Sequence, residues 1–337
     1  MIGYDPYFLS EEYYNHDIEC LYRASTGRLI VSVYEINTEK PIKGAKVSIR
    51  KQEGNGHIIA TLQTNEIGQT NVVSLPAPPK EYASDPLGPK PYSEYILAIE
   101  APNYEVKVIR GVQIFADTTA KQKVELTPII RTREHQSINI IDTPKHKLTE
   151  QYLEQQFPPQ YFSPSWIPSI FYSNVKIPEF IIVHDGNPHA KAPRYRVTFK
   201  DYIKNVAASE IYPTWPKEAI KANIVCMTSF VLNRIYREHY FVRGFTISSS
   251  TQFDQSYNHG KNTFAEIDDI VDEVLNQYIA NPYNIEPLLI PYCSGIRNCP
   301  IGYFSRWGSK YLADQGRDYL SIIRAYSPIA EIRLVRI

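Results

Sequence analysis

The 337-residue chain lacks the features that mark several classes of protein. It has no excess of charge, because 36 Lys and Arg balance 36 Asp and Glu. Nucleic-acid binders usually carry a basic surplus, so we expect no nucleic-acid partner. No run of about 18 apolar residues is present, so no transmembrane segment is predicted. The N-terminal stretch has neither a basic start nor an apolar core, so we expect no secretory signal.

Cysteine is also scarce, with four residues: Cys20, Cys226, Cys293 and Cys299. Four are too few for a disulfide scaffold. Cys293 and Cys299 lie close together in YCSGIRNCP, which leaves three alternatives open: a local disulfide, two free thiols, or zinc ligands with His259. A tetrahedral zinc site needs a fourth ligand that the sequence does not offer, so we expect no metal and no cofactor. Cys226 fits a small buried hydrophobe.

Tyrosine and proline are abundant, with 26 and 25 residues. Tyrosine combines an apolar ring with a polar tip, which favours contacts with ring-shaped polar ligands such as carbohydrates. The hydrophobic fraction of 43% is ordinary for a globular protein and is enough for a substantial core.

The composition changes along the chain and divides it into four regions. Residues 1–25 are acidic and aromatic, and form either a leader or a strap on the next domain. Residues 26–128 contain about seven short alternating segments with regular turn signals, which predict a β-sandwich. Residues 129–176 are rich in proline and aromatics and read as a linker, in which Arg131 and Arg133 would suit a trypsin-like cut. Residues 177–337 predict a mixed α+β domain.

The α+β region contains several periodic segments. A short helix is predicted up to Glu210, and Pro216 opens a long helix with apolar residues three or four apart. EIDDIVDEVLNQYI predicts an amphipathic helix, and PLLIPYCSG a buried strand. SKYLADQG and DYLSIIRAYS predict two more helices, and EIRLVRI a closing strand.

Glu210 is the main candidate for chemistry. On a helix it shares one face with Ile203, Val206 and Ala207, so a core-facing stripe ends in a carboxylate. An apolar setting and a helix C-terminus both favour the neutral acid. A neutral carboxylic acid can give a proton to a leaving oxygen. The alternative is a side chain that reaches solvent or caps a neighbouring amide.

Three ordered blocks carry a resemblance to a known family. VTFKDYIKNVAASEIYPTWPKEAIKANIV resembles the signature of the SpoIID/LytB family, and PLLIPYCSG and GYFSRWGSKYLADQG resemble its later blocks. The whole arrangement is similar to the SleC-type spore cortex-lytic enzymes of clostridia. In the β-region, PIKGAKVSI followed by GQT resembles the transthyretin-like or carboxypeptidase-regulatory sandwich.

The resemblance implies a lytic transglycosylase that cleaves MurNAc-GlcNAc strands of spore cortex peptidoglycan to 1,6-anhydro products. Glu210 stands at the position of the family's single acid and base, and no cofactor is implied. The sandwich would be the pro-domain of a zymogen with an activating protease. The expected location is the cortex or coat region of the spore, or the cytoplasm before release. Two alternatives stay open: a non-catalytic wall-binding enhancer of an amidase, and a structural protein of a spore layer or phage-tail-like particle.

Six further residues in these blocks are candidates for substrate binding. They are Lys221, Asn223, Tyr292, Ser294, Ser305 and Trp307. Each has a structural alternative: a surface charge for Lys221, backbone satisfaction for Asn223, and core packing for the aromatic residues. Arg306 departs from the family, which usually has Gln there.

Overall fold

The computed structural model describes residues 25–54, 56–129, 138–150, 175–280, 282–283, 285–293 and 302–335. The chain divides into two compact units, one of residues 1–120 with 125–139 and one of residues 121–124 with 140–337. Within the described residues, no helix has the length and apolar character needed to cross a membrane.

The first unit is built from β-strands in two sheets, and β7 and β8 belong to it only in part. The larger sheet has the order β3-β2-β5-β6-β8, and the other contains β4-β1-β7. The strands are β1 (Thr26–Glu35), β2 (Lys46–Lys51), β3 (Ile58–Gln63), β4 (Val73–Pro76), β5 (Tyr92–Glu100), β6 (Val106–Phe115), β7 (Thr119–Leu126) and β8 (Ile138–Asp142), with a 3₁₀ helix at Lys80–Ser84. The seven strands predicted from the sequence are present. β8 lies in the segment predicted to be a linker.

Alternate residues of β1 and β2 are buried. Leu29 and Val31 of β1, and Val47 and Ile49 of β2, are all 0% exposed. Two sheets that each bury one face form the core as the layers of a β-sandwich do. The period-2 pattern in the sequence was sufficient to place this core.

Gly27 of β1 lies where another strand end comes close. A Cβ atom there would be 2.1 Å from the Phe115 carbonyl oxygen and 2.7 Å from Ile114 Cγ2. We expect Gly27→Ala to lower the free energy of unfolding by about 1–3 kcal/mol, because a backbone atom cannot yield as a side chain can. Urea denaturation measures this. Ser74→Ala on neighbouring β4, which is exposed, is the matched control, and equal midpoints for the two variants would contradict the prediction.

The second unit mixes helices with short strands. Its sheets are β10-β9-β11, the antiparallel pair β13-β16 and the parallel pair β14-β15. The helices are α1 (Lys147–Glu150), α2 (Phe199–Glu210), α3 (Lys217–Tyr236), α4 (Ala265–Val274), α5 (Arg306–Asp314) and α6 (Tyr319–Tyr326). The strands are β9 (Phe180–His184), β10 (Arg194–Thr198), β11 (Ile247–Ser248), β12 (Thr263–Phe264), β13 (Gln277–Ala280), β14 (Tyr292–Cys293), β15 (Phe304–Ser305) and β16 (Glu331–Leu334).

Helix α3 is the centre of this unit. Residues 222–234 are all buried, and the helix contacts α2, α4, α5, α6 and β13. A helix that is buried on every face is typical of a domain interior. The spacing of Ile220, Ile224 and Met227 predicted one apolar face, whereas the other faces are covered as well.

Two sequence predictions were wrong in extent. The amphipathic helix predicted through Ile279 ends at Val274, because residues 277–280 form β13 and pair with β16. This long-range pairing overrides the local helical period. The buried strand predicted in PLLIPYCSG contains only β14 among the described residues, and Pro287 and Pro291 supply no amide donor to a ladder.

Candidate active site

Helix α2 presents its last residue, Glu210, to the interior. The helix begins after Thr198, whose hydroxyl accepts a hydrogen bond from Asp201 N at 3.0 Å. It ends because Ile211 is extended and Pro213 follows. Glu210 is 1% exposed, on the buried face predicted from Ile203 and its neighbours.

Both carboxylate oxygens of Glu210 accept hydrogen bonds from nitrogen donors. Oε1 accepts from the main-chain N of Ser256 at 2.8 Å. Oε2 accepts from Nη2 of Arg306 at 2.6 Å, and this ion pair is buried, with side-chain exposures of 2% and 9%. The guanidinium carbon of Arg306 lies 4.4 Å from the ring centre of Tyr292. A buried carboxylate is tolerated when it is paired and hydrogen-bonded in this way.

Polar side chains of α2 hold the segment that contains Ser256. The Tyr202 hydroxyl donates to Gln255 Oε1 at 3.2 Å. Asn205 bonds the main chain of Asn258 twice, accepting from N and donating to O, each at 2.8 Å. The Asn258 side chain donates to Ser209 Oγ at 3.0 Å. The main chain of residues 255–258 is therefore fixed on the helix that carries Glu210.

The sequence analysis missed this arrangement. The signal that could have revealed it is the stripe of hydrogen-bonding side chains at 202, 205 and 209, three and four residues apart on α2. A buried helix face of this kind needs a polar partner.

The turn after Glu210 is fixed by an aromatic cluster. Trp215 lies 5.0 Å from Trp307 and 5.7 Å from Tyr212, measured between ring centres, and Tyr212 lies 6.0 Å from Trp307. Trp307 is only 7% exposed. Trp307, a candidate for substrate binding, thus packs against the turn.

Lys221 and Asn223 lie on α3 with protein partners. Lys221 Nζ is 2.5 Å from Glu273 and 3.5 Å from Glu218, and the bond to Glu273 raises the pKa of Lys221. Asn223 is 0% exposed, and its amide nitrogen donates to Ala219 O and to Ser309 Oγ, each at 2.8 Å. The latter bond joins α3 to α5.

Tyr292 and Ser305 lie on the β14–β15 pair. Ser305 is the N-cap of α5 and accepts from Gly308 N at 2.9 Å. Burial raises the pKa of Tyr292 well above its usual value. Ser294 and Cys299 lie outside the described residues, as do Arg131 and Arg133.

Cys293 and His259, two of the three residues of the zinc alternative, have other partners in the structure. Cys293 is disulfide-bonded, and no cluster of three His, Cys, Asp or Glu side chains is found among the described residues. His259 instead stacks on Tyr195 at 3.7 Å between ring centres and contacts the Tyr257 hydroxyl. Cys226 is a buried free thiol, as expected for a small core residue.

His146 supports the main chain next to Glu210. It is 0% exposed, and its Nδ1 accepts from Leu148 N, so Nε2 carries the proton and donates to Ile211 O at 3.2 Å. Burial lowers the pKa of His146 well below its usual value. The ring therefore stays neutral in the folded protein while it would gain a proton in the unfolded chain.

Stability is expected to fall in mild acid because of His146. Below the unfolded pKa of about 6.5 the unfolded state binds a proton that the folded state excludes. The free energy of unfolding should drop by about 1.4 kcal/mol between pH of about 7.5 and about 5.5 from this group. Urea titrations of the wild type and His146→Gln measure the difference. An equal pH effect in both proteins would contradict the prediction.

A cavity of ≈ 530 Å³ lies in the same unit, lined mainly by the end of α3 and by residues near β9. Phe180, Tyr240, Phe241 and Phe245 contribute aromatic walls. Glu210 and its partners are absent from this lining, so the cavity is separate from the candidate site.

Comparison with known families addresses the part of the chain that contains Glu210. The model of the family SpoIID, described as Stage II sporulation protein, matches residues 191–280. This match supports the assignment of residues 191–280 to the SpoIID family. The SpoIID region extends from β10 to β13 and includes Glu210 and Ser256, whereas Arg306 lies beyond it.

No curated protein matches the chain. Several solved structures are similar over about a third of it. The Bacillus anthracis TIE protein is 14% identical over 31% of this chain and 17% of its own, with a TM-score of 0.22. The minor pilin GBS52 of Streptococcus agalactiae is 17% identical over 36% of this chain and 47% of its own, with a TM-score of 0.23. The 5-hydroxyisourate hydrolase of Klebsiella pneumoniae is 21% identical over 31% of this chain and 92% of its own, with a TM-score of 0.20. The chain spans less than two thirds of the length of the TIE protein and of GBS52.

Proposed function

We propose that the chain is a lytic transglycosylase that cleaves MurNAc-GlcNAc strands of spore cortex peptidoglycan, with Glu210 as acid and base. The observation that carries the proposal is a buried carboxylate at the end of α2, inside the SpoIID region, held by a fixed amide and a counter-charge. SpoIID domains are associated with peptidoglycan lysis in sporulation, and the resemblance of the sequence blocks supports the same class.

In the proposed reaction one side chain acts twice. Glu210 in its protonated form gives its proton to the glycosidic oxygen as the bond to C1 of MurNAc breaks. The resulting carboxylate then takes the proton from the C6 hydroxyl, whose oxygen bonds to C1 and closes the 1,6-anhydro ring. The proton returns to Glu210, and no water is consumed. The Ser256 amide at 2.8 Å would orient Oε1 through both steps.

The substrate contacts and the accessory regions belong to the same proposal. Of the six candidates, Lys221, Tyr292, Ser294 and Ser305 remain proposed for contact with the substrate. Asn223 and Trp307, which are buried, would support the site by packing. The first unit would be a transthyretin-like pro-domain, and a protease acting in the segment 129–176 would activate a SleC-like zymogen in the spore.

A second candidate function is a wall-binding enhancer of an amidase without catalysis of its own. The observation that favours it is the burial of Glu210, which is 1% exposed and paired with Arg306. A proton donor must reach a glycosidic oxygen within hydrogen-bond distance.

Digestion of purified cortex peptidoglycan separates the two functions. Protein before and after light trypsin treatment is incubated with cortex fragments, and soluble products are identified by mass spectrometry. Anhydro-muropeptides are expected for the transglycosylase. Intact glycan with retained binding, and faster peptide release by an added amidase, would overturn it in favour of the enhancer.

A further inference from the structure

Arg306 contacts Glu210 through a single donor atom. Nη2 bonds to Oε2, the guanidinium faces the Tyr292 ring, and Nε has no hydrogen-bond partner among the described residues. Arg234, the other buried arginine with a carboxylate partner described here, is bonded through Nε to Asp254 and through Nη2 to Phe253 O. Arg306 is therefore fixed by fewer hydrogen bonds than Arg234, although both side chains are buried.

The geometry also favours one form of Glu210. The Ser256 amide and the Arg306 guanidinium both donate, so both carboxyl oxygens accept. The positive charge of Arg306 beside Oε2 favours the carboxylate over the neutral acid. Arginine keeps its proton at every pH of interest, so this charge is always present.

We propose that Arg306 is a positioning residue that holds Glu210 as a carboxylate in the resting protein, so that proton donation requires the guanidinium to leave Oε2. The consequence for catalysis rests on the proposed function, but the protonation of Glu210 can be tested without it. It predicts that loss of the arginine charge makes the acid form of Glu210 more abundant near neutral pH.

Three titratable groups around the pair are neutral near pH 7. Burial raises the pKa of Tyr202 on α2 and of Tyr292 on β14, so both phenols keep their protons. Burial lowers the pKa of His146, which stays uncharged. Charged groups also lie in these surroundings, since Lys261 acts on His146, and Asp254 and Arg234 act on Tyr202. The Arg306 guanidinium is in direct contact with Glu210.

The test reads the protonation of Glu210 directly. The full chain is labelled with ¹³C at the glutamate carboxyl carbon, and the Glu210 resonance is assigned by its loss in Glu210→Gln. In the wild type we expect the ¹³C chemical shift of a carboxylate at neutral pH. In Arg306→Gln the Glu210 resonance should move towards the shift of a carboxylic acid at the same pH, because the opposite charge is gone. In Arg306→Lys, which keeps a charge, the resonance should move less than in Arg306→Gln. The exposed Arg324→Gln should leave the resonance unchanged.

An equal Glu210 chemical shift in the wild type and Arg306→Gln would overturn the inference. If Arg306→Gln does not fold, the infrared spectrum of the wild type decides: a carboxylic-acid band at neutral pH that Glu210→Gln lacks would also overturn it. Product release provides a separate readout. If Arg306→Gln holds more of Glu210 in the acid form, it should release more anhydro-muropeptide at neutral pH than the wild type. A shifted Glu210 resonance without anhydro products from any variant would support the role of Arg306 and reject the transglycosylase.

Discussion

Glu210→Gln is expected to lower the release of 1,6-anhydro products from cortex peptidoglycan by at least about 100-fold, the lower end of the range for a lost general acid. A glutamine amide can still accept from the Ser256 amide but has no acidic proton to give and cannot take one from the C6 hydroxyl. Quantification of anhydro-muropeptides by liquid chromatography and mass spectrometry measures the effect.

This variant needs a stability control because the side chain is half of a buried ion pair. Loss of one partner leaves Arg306 buried without a compensating charge, which costs about 3–5 kcal/mol. The double variant Glu210→Gln/Arg306→Gln removes both charges and should unfold at a higher urea concentration than Glu210→Gln alone. It should still release no anhydro product. A folded double variant with wild-type release would exclude Glu210 as the acid.

Asp254→Ala is expected to lower the free energy of unfolding by about 3–5 kcal/mol. Its carboxylate accepts from Arg234 Nε at 2.8 Å, from the Tyr240 hydroxyl at 2.8 Å and from Ser248 N at 2.9 Å. Burial raises the pKa of Asp254, and the side-chain exposures of the ion pair are 0% for Asp254 and 2% for Arg234. Truncation would remove the acceptor that three buried donors share, one of them charged.

The matched control is an ion pair at the surface. Lys43 and Glu66 lie 2.5 Å apart with side-chain exposures of 66% and 78%. Glu66→Ala should change the free energy of unfolding by less than about 1 kcal/mol, since solvent screens the pair. Urea denaturation of both variants tests the contrast. A similar cost at the two sites would show that burial does not determine the contribution of Asp254.

The sequence was informative where local pattern decides structure. The alternation in β1 and β2 predicted their buried faces, and Pro216 marked the start of α3 because proline is tolerated where a helix begins. The burial of Glu210 followed from its position on α2. The catalytic role itself remains a prediction.

What the sequence did not predict depends on long-range pairing. Arg306 is 96 positions from Glu210, and nothing in either local pattern specifies that the two meet. Sequence comparison marked Arg306 only as a departure from a family pattern. For the same reason the pairing of β13 with β16 ended a helix that the local period extended.

The segment that supplies the Ser256 amide is anchored at both ends. Asp254 fixes one end through Arg234 and Tyr240, and Asn258 fixes the other through Asn205. Only three residues separate Asp254 from Asn258, so the two anchors fix the length of this span. A one-residue insertion or deletion would shift the amide away from Glu210, whereas a substitution keeps the number of residues between the anchors. Evolutionary change in this span should therefore proceed by substitution and not by change in length.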